Sequence, residues 1–215
     1  MEQQSPDNLP PGKLRVSGVG RGSSRVSSGS DPTEGWSCLL TLLDPADDGW
    51  IRRKYGVIGL RRHKLLRVTA EAYEQEGSLS QEVVAFDILG CGIRTLQRDL
   101  VLFSQLGVWV PFQRYSERNR LDRYLYKAAA VRHYLEGKSK HEIAELLYQR
   151  LEFVESLIVV FAKLTKLCAS GIGKEHLPRV LDLPAATLEE YLALYRQFNT
   201  PARFKMLDVL AKAAL

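Results

Sequence analysis

Three times along this 215-residue chain a short polar-capped run is followed, after a turn, by a longer stretch with apolar residues at helical spacing. The spans are 80–106, 139–169 and 173–198. Apolar residues three and four apart share one side of a helix. A short helix, a tight turn and a longer helix make the helix-turn-helix plan. In the first span Ser80 is placed to cap a short helix. Gly90-Cys91-Gly92 then breaks the chain, and residues 93–106 carry Leu96, Leu100, Phe103 and Leu106 on one side before Gly107. In the second span Ser139 caps 140–147 and a long helix covers 151–169. In the third, 174–181 and 187–198 are helical, and a last helix covers 203–214. Helical spacing also runs from about Gly59 to Gly77 and over 121–135. Val108-Trp109-Val110-Pro111-Phe112 is β-branched and aromatic and reads as a strand that opens a hairpin or wing.

Residues 1–35 are rich in Ser, Gly and Pro and poor in large apolar side chains. Such a segment buries too little surface to offset its ordering entropy, so a disordered tail is expected. The tail is drawn to residue 48, with an apolar segment at 36–43 and a turn at Asp47-Asp48-Gly49. Gly18-Val19-Gly20-Arg21-Gly22 lacks the spacing of a phosphate-binding loop and reads as linker. Cys38, Cys91 and Cys168 stand far apart, which excludes a disulfide framework and a paired-cysteine zinc site. No apolar run reaches the roughly 18 residues of a membrane span, and the N-terminus lacks the pattern of a secretory signal. A cytoplasmic, nucleoid-associated protein is expected.

Composition matters here through where the charge lies. The formal net charge is +5, but it is concentrated in the middle of the chain. Residues 52–67 hold seven cations and no acid: Arg52, Arg53, Lys54, Arg61, Arg62, Lys64 and Arg67. Residues 94–132 hold eight bases against three acids, and from 133 onward 11 bases nearly balance 10 acids. A basic stretch of this kind is the footprint of a surface that meets phosphates.

Within it lies Leu89-Gly90-Cys91-Gly92-Ile93-Arg94-Thr95-Leu96-Gln97-Arg98-Asp99-Leu100. With Leu96, Leu100 and Phe103 facing a core, Arg94, Gln97, Arg98 and Val101 fall on the opposite stripe. A helix fits the major groove of duplex DNA, where arginine pairs with guanine and glutamine with adenine. Arg94, Gln97 and Arg98 are therefore the expected base readers. Thr95, Arg114 and the seven cations of 52–67 are the expected phosphate contacts. Over residues 60–115 the segment resembles winged helix-turn-helix regulators, with Gly92 where their capping serine stands. Tyr134-Leu135-Glu136-Gly137-Lys138-Ser139 with Glu142-Ile143-Ala144 resembles the first helix pair of transposase-type and sigma-factor-type modules. If that second unit touches DNA, Lys140, Gln149 and Arg150 are the contacts, although its apolar run 157–161 favours a packing or dimer face. The third unit, opening Thr187-Leu188-Glu189-Glu190, places acids where phosphate would be repelled and reads as structural or protein-binding.

Over 60–198 the layout resembles a prokaryotic family of domains of unknown function numbered 1670. The shared stretches are the run from Arg94 to Leu100, the glycine-serine turn before Glu142-Ile143-Ala144, and Glu189-Glu190-Tyr191-Leu192. The resemblance implies DNA binding and brings no activity with it. The expected fold is mainly α: a winged helix-turn-helix at 49–116, then a helical domain at 117–215 with two helix-turn-helix-like units.

Enzyme signatures fail on single residues. His141-Glu142-Ile143-Ala144-Glu145 has Glu where a zinc protease needs its second histidine. Gly137-Lys138-Ser139 has Arg132 where a phosphate loop needs its first glycine. No catalytic residue, metal or cofactor is expected. The expected partner is double-stranded DNA, bound by a transcription regulator, and a homodimer would use the 157–161 run. The alternative is a non-enzymatic protein-interaction adaptor of a mobile-element or plasmid system.

Overall fold

The computed structural model of the chain describes residues 9–20, 36–113 and 122–199. These are mainly helical, with a small antiparallel sheet. They fall into two compact units: one of the residues up to 101 together with 110–113, the other of 102–109 and the residues from 122 on. The expected last helix at 203–214 lies outside the described residues.

The first unit opens on strands that the sequence had placed in a disordered tail. Strand β1 (Lys13–Gly20) pairs antiparallel with β2 (Trp36–Thr41), with Leu14 opposite Leu40 and Val16 opposite Cys38. On its other side β1 pairs with the two-residue β3 (Gly77–Ser78). Cys38 and Leu40 are buried, so the alternation along β2 is that of a strand with one face on a core. The partners lie far apart in sequence, and composition does not reveal a pairing of that kind.

Helix α1 (Pro45–Glu74) starts earlier than expected. Asp44 caps it, accepting from the amides of Ala46 (3.1 Å) and Asp47 (3.4 Å), and Pro45 opens the first turn. Gly56, at φ 70° and ψ −170°, splits it into two helical limbs; only glycine takes that conformation without strain. On the second limb the side chains from Leu65 to Ala70, along with Ala72 and Tyr73, are buried.

The outer edge of β2 is closed by side chains of α1 and its C-cap. The Gln75 amide accepts from Leu39 N (3.0 Å) and donates to Leu39 O (3.0 Å), as a neighbouring strand would. Glu71 accepts from Thr41 N (2.6 Å), and Arg67 Nε donates to Thr41 O (3.1 Å). Trp36 Nε1 donates to Gln75 O (2.7 Å). Gly77 lies against the Trp36 indole so closely that a Cβ there would fall inside the ring.

A π-helical turn (Val83–Ile88) follows, with the Ser80 hydroxyl accepting from Val83 N (3.2 Å). The chain breaks at the expected glycines, and α2 (Ile93–Gln105) begins. The expected wing strand takes another form. Val108, Trp109, Val110 and Phe112 are buried, and Val108 makes a lone parallel bridge to Tyr124. A parallel bridge cannot belong to a hairpin, and the apolar character that suggested a strand serves burial here.

The second unit is built on α3 (Tyr126–Leu135), α4 (Lys140–Leu146), α5 (Leu151–Ala169), the short α6 (Leu177–Leu181) and α7 (Ala185–Phe198). Ser139 and Glu142 form a reciprocal capping box on α4. Phe161 meets Tyr191 edge to face at 5.6 Å, and Tyr126 stacks on Phe153 at 6.0 Å. The buried Glu190 carboxylate accepts from Leu125 N at 3.1 and 3.2 Å. Leu157, Ile158 and Phe161 are spent on this core, leaving Val159 exposed. The 157–161 run is therefore not the continuous surface that the dimer expectation needed. No helix of the described residues is long and apolar enough to cross a membrane.

Candidate nucleic-acid interface

Helix α2 has two opposed sides. Leu96 and Phe103 are fully buried, and Leu100 is half-buried. Asp99 lies on the same side, only 1% exposed. Two guanidinium groups of α1 converge on it: Arg61 Nε at 2.8 Å on one carboxylate oxygen and Arg62 Nε at 2.7 Å on the other. Charge-assisted bonds of this length are strong, and they join the second limb of α1 to the middle of α2. Cys91, in the turn before α2, feels Arg61 and Asp99. Burial raises its thiol pKa above the ordinary value, Arg61 lowers it, and Asp99 raises it again.

On the opposite side Arg94, Gln97 and Arg98 are exposed and make no side-chain hydrogen bond or ion pair among the described residues. Thr95 is half-buried, its amide bonded to Gly92 O (2.9 Å). The three expected base readers thus share one solvent-facing stripe.

The expected phosphate contacts divide. Arg52, Arg53 and Lys54, on the first limb of α1, are exposed. Lys54 Nζ sits 5.2 Å from the Trp50 ring centre and 4.9 Å from that of Tyr55, an aromatic corner that the sequence reading did not pick out. The other four cations of 52–67 need correction, because they hold the unit together. Arg61 and Arg62 serve Asp99. Arg67 is buried, with Nη1 2.9 Å from Asp48 Oδ1, and Lys64 Nζ is 3.2 Å from Asp48 Oδ2. Burial raises the Asp48 pKa, but the hydrogen bond and charge of Arg67, the Asp44 amide and Lys64 outweigh it and hold the carboxyl below the ordinary value. The acids that neutralise these cations, Asp48 and Asp99, lie outside the run itself, which is why it looked unopposed. Arg114 lies outside the described residues.

The contacts proposed for the second unit are engaged internally. Gln149 is buried and donates to Leu147 O (3.1 Å), which removes it as a DNA contact. Lys140 pairs with Glu155 at 3.0 Å and Arg150 with Glu152 at 3.4 Å. A shallow cavity of about 350 Å³ in this unit is lined by Leu102, Leu106, Leu146 and Tyr148, with Lys138, Glu142 and Glu145 among its walls. Among the described residues no three His, Cys, Asp or Glu side chains cluster as metal ligands would.

A family model described as a protein of unknown function, DUF1670, matches residues 7–194. The match takes in the N-terminal strands as well as the helical region that carried the resemblance. No curated protein and no solved structure matches.

Proposed function

The chain belongs to the DUF1670 family, and because that family's description brings no activity with it, we propose a function from the chain's own surface: it binds double-stranded DNA sequence-specifically as a transcription regulator. One observation carries the reading. Arg94, Gln97 and Arg98 line the exposed side of a helix whose other side is buried and anchored through Asp99. Three long polar side chains at i, i+3 and i+4 form one ridge, of a width that enters the major groove. In this reading the π-helical turn, the glycine break and α2 act as a helix-turn-helix reader. Arg52, Arg53 and Lys54 meet the backbone and supply the part of the affinity that ignores sequence.

The test compares two variants on two DNAs. Sites are selected from a random duplex pool with the full chain, and binding is then measured by fluorescence anisotropy. Arg98→Ala is expected to cost about 1–3 kcal/mol on the selected site and little on random duplex. Arg53→Ala is expected to weaken both alike. Equal losses for the two variants on both DNAs would remove the base-reading role. A second reading, docking to a protein partner, is favoured by the exposed apolar side chains Val57, Ile58 and Phe86. Binding to every duplex that is weak and insensitive to salt would select it.

A further inference from the structure

The exposed stripe of α2 carries one residue that the polar readers do not explain. Val101 is 59% exposed. It lies seven residues after Arg94 and three after Arg98, which puts it on the same ridge. It cannot turn into the core, because the helix buries Leu96, Asp99 and Phe103 on its other side. A β-branched residue at an open helix position lowers helix propensity, and at this site no burial repays it. Resting on the duplex reading above, we propose that Val101 is a specificity-determining residue that contacts the 5-methyl group of a thymine.

Three physical points support the assignment. Thymine is the base that shows a methyl group in the major groove, and apolar side chains are its partners there. The seven residues from Arg94 to Val101 rise about 10.5 Å along the helix, close to three base-pair steps of roughly 3.4 Å. One reading therefore takes guanine or adenine at Arg94, Gln97 and Arg98, and thymine at Val101, within about four base pairs. Finally, the stiff χ1 of valine means that little rotamer freedom is lost when its methyl groups meet a partner.

The experiment changes the DNA first. In the duplex recovered from the random pool, each thymine is replaced in turn by deoxyuridine, which keeps the base pair and removes only the methyl group. Affinity is measured for the full-length protein and for Val101→Ser. One replacement is expected to weaken the wild-type protein about three- to tenfold and to leave Val101→Ser changed by less than about twofold. If the wild-type protein binds its site tightly and tolerates every replacement, or if Val101→Ser is equally sensitive, the thymine contact is overturned and DNA binding stands. If no duplex is enriched or bound, both fall together.

Discussion

Burying Asp99 is tolerable only because Arg61 and Arg62 each donate an Nε–H to a different carboxylate oxygen. Removing the charge leaves two half-buried guanidinium groups facing each other. Asp99→Asn is expected to lower stability by about 2–3 kcal/mol, below the full cost of breaking a buried pair because the arginines still reach solvent. Urea unfolding measures this, and a loss within error of zero would contradict the anchoring role. Asp99 was in principle legible. It stands three residues after Leu96 and four before Phe103, on the apolar side, and an acid there implies a cation across from it. His133 makes a second residue-scale prediction. Burial lowers its pKa below 6.5, the Lys138 charge lowers it further, and Glu136 and the Leu106 backbone offset this in part. Between the lowered value and 6.5 the unfolded chain binds more protons than the folded one, so stability rises with pH across that window. The contribution is complete above 6.5 and is lost as pH falls toward the folded value. Thermal midpoints measured from about pH 5 to 8 should show this slope. His133→Gln should flatten it, and an unchanged slope in the variant would point to another group.

At the scale of elements, β2 is a short edge strand whose exposed backbone groups are occupied by side chains. Exposed edges invite pairing with other chains. Gln75→Ala removes the amide that serves both the N–H and the C=O of Leu39. The variant is expected to lose about 1–2 kcal/mol and to associate at concentrations where the wild-type protein does not. Gel filtration and light scattering would reveal the association; an unaltered profile would mean that Glu71 and Arg67 suffice. This edge also shows where sequence reading stops. The long helix α5 was legible to its end residues because its signal is local: apolar spacing, a turn before it and small residues after it. Strands β1 and β2 were not, since Leu14 and Val16 acquire their meaning only opposite Leu40 and Cys38, across a Gly- and Ser-rich stretch. The strand expected at 108–112 is met among the described residues only by the bridge at Val108, for a related reason. Val108 to Phe112 has strand composition, but composition does not distinguish an exposed hairpin from an extended segment buried in a core.

For the whole molecule the prediction concerns salt. If all seven cations of 52–67 met phosphates, the slope of log K against log salt on random duplex would be about −6. Ion pairs to Asp48 and Asp99 engage four of them, leaving Arg52, Arg53 and Lys54 exposed. The expected slope from that segment is therefore about −3. A slope near −6 would mean that the ion pairs open on binding; a slope near zero would contradict DNA binding. Charge counted along the sequence overstates the exposed cations of 52–67 about twofold for a physical reason: a neutralising carboxylate need not be near in sequence.

The path of the backbone between 101 and 110 has a practical consequence. Residues 102–109 belong with the second unit, and the chain then returns to the first. No single scission can therefore separate the molecule into two intact halves. A fragment ending at 101 would lack the stretch beginning at 110, and one starting at 110 would lack the last turn of α2. Anyone dissecting the protein with proteases or truncated genes should find that a cut after 101 leaves every residue of the second unit on one piece and the first unit without its returning stretch.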